Sequence, residues 1–110
     1  MVSTRFLDNV IDLFDYPVEE VQKMSKNTRR LGLGVMGYAD MLYQLGIKFD
    51  SAEGFKMGEE VMRIIQEESH RTSAALAAEK GEFPLWKDST WAKAGIKRRN
   101  TMVTTVAPTG

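Results

Sequence analysis

Residues 50–81 read DSAEGFKMGEEVMRIIQEESHRTSAALAAEKG, and this stretch decides the fold. Apolar or small side chains recur in it every three or four residues, which predicts one long helix with a single packed face. Asp50 followed by Glu53 is typical of a helix start, and Gly81 is a typical stop. A helix of this length is more than twice the average, so we expect it to pack along a large surface. The packed face is expected to carry Phe55, Gly58, Met62, Ile65, Ser69, Thr72 and Leu76.

Three shorter helices are predicted ahead of this one. A first helix over about 3–15 follows from the spacing of its apolar residues, and Pro17 ends it. A short second helix begins after Pro17, with two acidic residues near its positive N-terminal end. The apolar periodicity then predicts a third helix over about 28–45, which Gly46 stops.

The character of the sequence changes after the long helix. Residues 82–99 are expected to form a connector that includes the buried stretch Phe83–Trp86 and a short helical turn near Trp91. Residues 102–106 read MVTTV, a β-branched run without a polar face, which predicts a strand covered on both sides. The predicted fold is therefore mainly α, with three to four helices and one C-terminal strand. One strand cannot make a sheet, so we expect the chain to be part of a larger unit.

Composition excludes several classes of function. The 110 residues carry fifteen basic and fifteen acidic side chains, which gives no one-signed field for a nucleic acid or a membrane surface. No apolar run reaches the roughly 20 residues that span a bilayer, and the N-terminus is unlike a signal peptide, so we expect a cytoplasmic protein. The sequence contains no cysteine, so neither a thiol nucleophile nor a redox pair comes from this chain. We expect it to contribute no catalytic residue.

Residues 32–37 read GLGVMG and fit the glycine pattern of dinucleotide-binding folds. That mechanism needs a strand before the first glycine, whereas the preceding residues 26–30 are polar. We therefore expect these glycines to allow close packing of the backbone rather than to bind a nucleotide cofactor.

His70 is the only histidine in the sequence. A metal site needs further ligands at suitable spacing, and none accompanies it, so no metal is expected. We expect His70 to lie on the solvated side of the long helix.

The last residues have the chemistry of an anion site. The predicted strand runs into Ala107, Pro108, Thr109 and Gly110, and such a turn presents backbone N–H groups, particularly where a helix begins next. Turns of this composition are also common without any ligand, so the residues alone leave both possibilities open.

Several blocks of the sequence together resemble the large subunit of ribonucleotide reductase, most closely its adenosylcobalamin-dependent, class II branch. They occur in the family's order and span nearly the whole chain. They are residues 5–12, 27–42, 66–69, 81–85, 99–101 and 106–110.

The resemblance implies that residues 1–110 are part of a ten-stranded α/β barrel. The helical segment would cover 3–81, the connector 82–99, and a barrel strand with the start of a phosphate loop 100–110. In that family a thiyl radical on a cysteine reduces ribonucleotides to deoxyribonucleotides, and the turn corresponding to Ala107, Pro108, Thr109 and Gly110 binds substrate phosphates. Adenosylcobalamin would belong to the parent enzyme, and we expect none bound to this chain.

Two functional hypotheses follow. The chain is either a reductase segment, inactive alone, or a non-catalytic helical module for association. Its expected partners are the ribonucleotide substrate, the remainder of the reductase polypeptide and, in a homodimer, a second copy of itself. The resemblance leaves open whether the radical source is of class II or class I, and whether the substrate is a diphosphate or a triphosphate.

Overall fold

The computed structural model describes residues 1–108, which are mainly helical. The helices are α1 (Val2–Leu13), α2 (Glu19–Thr28), α3 (Tyr38–Leu45), α4 (Ala52–Lys80) and α5 (Thr90–Lys93), with a 3₁₀ turn at Trp86–Asp88.

The long helix α4 forms nearly as predicted, over 29 residues. Its N-cap is Ser51 rather than Asp50, because the Ser51 hydroxyl accepts a hydrogen bond from the Gly54 N–H at 3.1 Å. Ser69 and Leu76 are fully buried on its packed face, as predicted, whereas Phe55 near its start is exposed. The fully buried side chains therefore lie in the C-terminal half of the helix, while its first turn is packed at Gly54.

Helix α1 packs against α4 and α2 with an unexpected face. Its buried side chains are Thr4, Asp8 and Ile11. The apolar side chains Phe6 and Leu13, whose spacing predicts this helix, are instead 63% and 84% exposed. We call the exposed surface formed by Phe6, Val10, Leu13 and Phe14 the outer face of α1.

The predicted helix over 28–45 is wrong in its first half. Helix α2 ends at Thr28, and α3 begins only at Tyr38. Between them, residues 30–36, which we call the glycine segment, run in extended conformation beside residues 101–106. Leu31, Leu33 and Val35 alternate with other residues, so the same sequence also fits the two-residue period of extended backbone.

The predicted C-terminal strand is also wrong, since residues 1–108 include no strand. A single parallel bridge joins Leu33 to Thr104. The Leu33 N–H donates to Val103 O at 3.0 Å, but the Leu31 N–H donates to Met102 O, so the register slips by one residue and no regular ladder forms. Of the stretch 102–106 only Val103 is buried, so the expected cover on both faces is missing as well.

The core lies where α4, the glycine segment and the connector meet. It includes Leu31, Leu42, Leu76, Phe83 and Val103. Within the part of the chain that the structure describes, no helix is long and apolar enough to cross a membrane.

Candidate functional site

The predicted phosphate-binding turn lies at the end of the C-terminal segment, residues 101–108. Ala107 and Pro108 are exposed there. Thr109 and Gly110, the other two predicted site residues, lie outside the described residues. The structure therefore shows the first two residues of the turn. Their position depends on the contacts made by the residues that precede them.

Asn100 fixes the start of the C-terminal segment. Its side-chain amide donates to Asp8 Oδ1 at 2.9 Å, and its side-chain carbonyl accepts from the Ser73 hydroxyl at 2.9 Å. Its backbone N–H donates to the same hydroxyl at 3.1 Å. Asp8, Ser73 and Asn100 are all fully buried. One asparagine thus ties the segment to both α1 and α4 through a satisfied polar cluster.

Arg29 holds Asp8 from the other side. Its Nε donates to Asp8 Oδ1 at 3.0 Å, and its Nη2 donates to the Asp8 carbonyl at 2.9 Å. Nη1 and Nη2 also bond the two carboxylate oxygens of Asp12 at 2.8 and 2.9 Å. The guanidinium therefore satisfies two acidic residues one helical turn apart, which joins the end of α2 to α1.

The same contacts shift two pKa values. Burial alone lowers the pKa of Arg29, but its hydrogen bonds and ion pairs with Asp12 and Asp8 outweigh burial, so the net shift is upward. The hydrogen bond with Arg29 lowers the pKa of Asp12 against the opposing effect of burial. Both groups are therefore held in their charged forms.

Arg29 has an unusual backbone for an arginine. It is the C-cap of α2 with φ 47° and ψ 51°, a left-handed conformation that normally favours glycine or asparagine. The left-handed turn ends the helix and leaves the guanidinium within reach of Asp8 and Asp12. Those contacts offset the backbone cost.

Arg99 closes the network at the end of α4. Its Nη1 donates to the carbonyls of Lys80 and Gly81 at 3.1 and 3.2 Å, and its Nε lies 3.4 Å from Asp8 Oδ2. A cation at this position complements the negative C-terminal end of the helix. Residues 99 and 100 are thereby fixed immediately before the C-terminal segment begins.

The glycine segment holds the middle of the C-terminal segment. The Thr105 N–H donates to Leu33 O at 3.0 Å, which completes the bridge around Thr104. A Cβ atom on Gly34 would lie 2.8 Å from the Thr105 carbonyl oxygen, closer than real Cβ contacts. The expectation that these glycines serve close packing agrees with this geometry at Gly32 and Gly34, which precede the helix, whereas Gly37 is the left-handed N-cap of α3.

A cavity of about 320 Å³ lies beside the end of the C-terminal segment. The Tyr38 hydroxyl, at its wall, donates to the carbonyl of Gly54 in α4. The cavity is mainly apolar and so suits an apolar group next to the turn rather than an anion. It is lined by Val35, Tyr38, Gly58, Val61, Met62 and Val106.

His70 is less solvated than predicted. Its ring lies edge-on to Trp91, with the centroids 6.1 Å apart. Burial lowers the pKa of His70, and the positive charge of Arg98 lowers it further. Among residues 1–108 no group of three or more histidine, cysteine or acidic side chains could hold a metal ion.

The sequence interpretation missed the polar network. It identified residues 5–12, 27–42 and 99–101 as parts of a resemblance without predicting that Asp8, Arg29 and Asn100 meet. The available signal was weak. Asp8 and Asp12 share one face of α1, and acidic pairs at this spacing usually lie in solvent.

The contacts of the described residues fix the position of the predicted phosphate-binding turn. Buried ion pairs and hydrogen bonds fix residues 99–101, the bridge fixes residues 103–105, and the exposed turn follows. The sequence contains no cysteine, so the chain supplies no thiol for a thiyl radical or for disulfide exchange.

Comparison with known proteins agrees with the resemblance. The family model described as the ribonucleotide reductase barrel domain matches residues 1–106. The vitamin B12-dependent ribonucleoside-diphosphate reductase of Thermoplasma acidophilum is 55% identical over 108 residues, which cover 98% of this chain and 14% of that protein. The enzyme of the same description from Mycobacterium tuberculosis is 49% identical over 109 residues, covering 99% of this chain and 16% of that protein.

A solved structure is similar over the same range. The class Id ribonucleotide reductase alpha subunit of Actinobacillus ureae superposes with a TM-score of 0.83 at 31% identity. The match covers 98% of this chain and 21% of that one. The chain thus spans a seventh to a fifth of the length of these proteins.

Proposed function

The chain belongs to the ribonucleotide reductase barrel-domain family, and on that premise we propose that it is a segment of a B12-dependent ribonucleoside-diphosphate reductase. The relatives from Thermoplasma acidophilum and Mycobacterium tuberculosis, both described as B12-dependent, are 55% and 49% identical to it. Because these names describe reductases, they favour an enzyme segment over a non-catalytic helical module.

Within the parent enzyme, the segment contributes scaffold and part of the substrate-phosphate loop. Ala107, Pro108, Thr109 and Gly110 are the proposed phosphate contacts, through backbone N–H groups and the start of a following helix. The single observation that carries this role is the fixed start of the C-terminal segment. Asn100 is fully buried and hydrogen-bonded to both α1 and α4, so the segment that leads into the turn starts from a fixed position.

The division into a helical segment over 3–81, a connector over 82–99 and a strand-to-loop unit over 100–110 remains a proposal. In the parent barrel, residues 102–106 would gain a strand partner on the edge away from the glycine segment. That edge has no backbone partner among residues 1–108, so its N–H and C=O groups are free to pair with a strand of the remaining polypeptide.

The chemistry itself must come from the remainder of the polypeptide. The radical cysteine and the reducing pair are absent from the sequence, so we expect the isolated chain to be inactive. Adenosylcobalamin, implied by the named relatives, would generate the radical in the parent enzyme.

A complementation assay tests the proposal. The chain is mixed with a polypeptide that covers the rest of a B12-dependent reductase, and deoxyribonucleotide formation is measured with adenosylcobalamin and a dithiol. We expect activity only when both pieces are present. Binding of the two pieces without any turnover would count against the enzyme-segment proposal.

Two variants make this assay specific. Asn100→Ala should lower the restored activity, because it removes the side-chain hydrogen bonds that hold the start of the C-terminal segment against α1 and α4. Asn9→Ala is its matched control, since Asn9 makes only an exposed contact with Lys80 and should complement like the parent sequence. A cytoplasmic location, a homodimer and the lack of a nucleic-acid partner remain predictions from the sequence.

A further inference from the structure

Arg98 is a buried cation without a counter-charge in the described part of the chain. The residue is only 5% exposed, and its Nε and Nη1 have no hydrogen-bond partner among residues 1–108. Arg29 is equally buried but bonds both Asp8 and Asp12. Burying a guanidinium without an acceptor is strongly unfavourable, so the surroundings of Arg98 are incomplete as they stand.

The guanidinium is held in a defined orientation. Its central carbon lies 4.0 Å from the centroid of the Trp91 ring, which covers one face of the group. The Trp91 indole N–H donates to Thr101 O at 3.1 Å, so the ring is itself fixed. An aromatic ring can cover the face of a guanidinium but cannot accept its in-plane N–H groups, so the buried Nε and Nη1 still lack an oxygen acceptor.

The neighbouring groups do not neutralise this charge. The ring of His70 lies edge-on to Trp91, and burial together with the charge of Arg98 lowers the pKa of His70, which disfavours its cationic form. No acidic side chain of the described residues lies within salt-bridge distance of Arg98. The site therefore holds one uncompensated positive charge.

We propose that Arg98, oriented by Trp91, is the binding site for a single carboxylate supplied from outside residues 1–108. A monoanion matches the single buried charge, whereas a phosphate dianion would leave a net negative charge in the same low-dielectric place. Carboxylate oxygens also match the planar guanidinium donors. Such a carboxylate has two possible sources, a small free carboxylate or an acidic side chain of the polypeptide that completes the barrel.

Titration of the full 110-residue chain with sodium formate tests the proposal. Ionic strength is held constant with chloride, and the Arg98 Nε–H resonance is followed by NMR together with the thermal midpoint. We expect a saturable shift of that resonance and a rise of the midpoint. Phosphate under the same conditions should not shift the Arg98 Nε–H resonance. A wild-type chain that does not respond to formate, or one that responds equally to phosphate, would overturn the proposal.

Variants assign the response to this residue. Arg98→Met should weaken formate binding at least tenfold, and Arg98→Lys should weaken it less because the charge remains. Arg63→Met is the matched control, since Arg63 is exposed and pairs with Glu60 and Glu67. It should bind formate as the wild type does. If Arg98→Met does not fold, the wild-type titration and Arg98→Lys still decide the question.

Addition of the complementing polypeptide distinguishes the two possible sources of the carboxylate. Loss of formate binding on complex formation identifies an acidic side chain of that polypeptide, and retained binding identifies a free carboxylate. These readouts do not depend on nucleotide reduction, so failure here is distinct from failure of the proposed function.

Discussion

At the scale of single residues, the structure depends on polar contacts that are buried rather than on apolar contacts alone. Asp8 illustrates this, since it is fully buried and bonded by Arg29, Asn100 and Arg99. A buried network of this kind is stable only when every member is satisfied. Removing one partner should therefore cost more than the same substitution on the surface.

Asn100→Ala is the sharpest test of the network. The change leaves the Ser73 hydroxyl without its acceptor and Asp8 without one donor, and each unsatisfied buried group costs about 1–3 kcal/mol. We expect a loss of roughly 2–4 kcal/mol in the free energy of unfolding, measured by urea denaturation. Asn9→Ala should change it by less than about 0.5 kcal/mol. Equal losses in the two variants would mean that the network does not stabilise the fold.

The lowered pKa of His70 predicts that the stability of the fold depends on pH. Its pKa is lowered on folding from the ordinary value of 6.5, by burial and by Arg98, so the unfolded chain binds the proton more readily. Stability should therefore fall as pH drops through 6.5, by at most about 1.4 kcal/mol per pH unit for one site. Denaturation at pH values from 7.5 to 5.5 measures this slope.

The control for that experiment is His70→Gln, which should flatten the slope in this pH range. At more acidic pH, protonation of Asp12 should destabilise both proteins, because its pKa is also lowered on folding by its bond to Arg29. An unchanged slope in His70→Gln would assign the titration to another group.

At the scale of elements, the sequence predicted what local periodicity can specify. Helices α1 and α4 were predicted within a few residues of their ends, because caps, prolines and apolar spacing are local signals. The glycine segment was misread, because Leu31, Val35 and Ala39 fit a helical period while Leu31, Leu33 and Val35 fit an extended one. The extended conformation is selected by hydrogen bonds between Leu33 and residues 103–105, which lie about seventy positions later in the sequence. A local sequence pattern does not contain these contacts.

The candidate site divides in the same way. The turn at Ala107 and Pro108 was predicted from its composition and from the resemblance, and its role stays a proposal. The anchoring of Asn100 by α1 and α4 was not predicted, because it joins residues 8, 73 and 100, which are distant in the sequence. Side-chain hydrogen bonds leave no periodic signal, so sequence patterns do not reveal them.

Gly34→Ala tests the pairing between the two extended segments. The new Cβ would lie 2.8 Å from the Thr105 carbonyl oxygen, a backbone atom that cannot rotate away. We expect a loss of about 1–3 kcal/mol in the free energy of unfolding, together with faster amide exchange at Thr105. Gly32→Ala is the matched control, since its Cβ meets the Thr105 methyl group, a side-chain atom, at 3.0 Å. Similar exchange rates in both variants would contradict the close-approach interpretation.

At the scale of the whole molecule, the chain exposes more surface than a compact protein of its size. Its accessible surface is 7881 Å² at 12.4 kDa, whereas about 6100 Å² is expected for a folded monomer of that mass. Its radius of gyration is 16.4 Å, against about 13 Å for a compact domain of this length. The excess includes the outer face of α1, where Phe6, Leu13 and Phe14 are more than half exposed. A surface of this kind is expected on a part that packs against further polypeptide.

This surface predicts that the chain self-associates when alone. The net charge is zero, so little electrostatic repulsion opposes contact between apolar faces. Sedimentation velocity over a range of concentrations should show oligomers of the wild-type chain, and the double variant Phe6→Lys/Leu13→Lys should stay monomeric with unchanged unfolding. A second double variant, Gln44→Lys/Ala78→Lys, adds the same charge at exposed positions of α3 and α4 and should still associate.

The two variants separate the outer face from net charge. If both prevent association, repulsion rather than the outer face of α1 controls it, and if neither does, another surface is responsible. If the complementing reductase polypeptide covers the outer face of α1, it should compete with self-association of the chain. A complex that forms equally well with the wild-type chain and with Phe6→Lys/Leu13→Lys would place the outer face of α1 outside the contact with the rest of the enzyme.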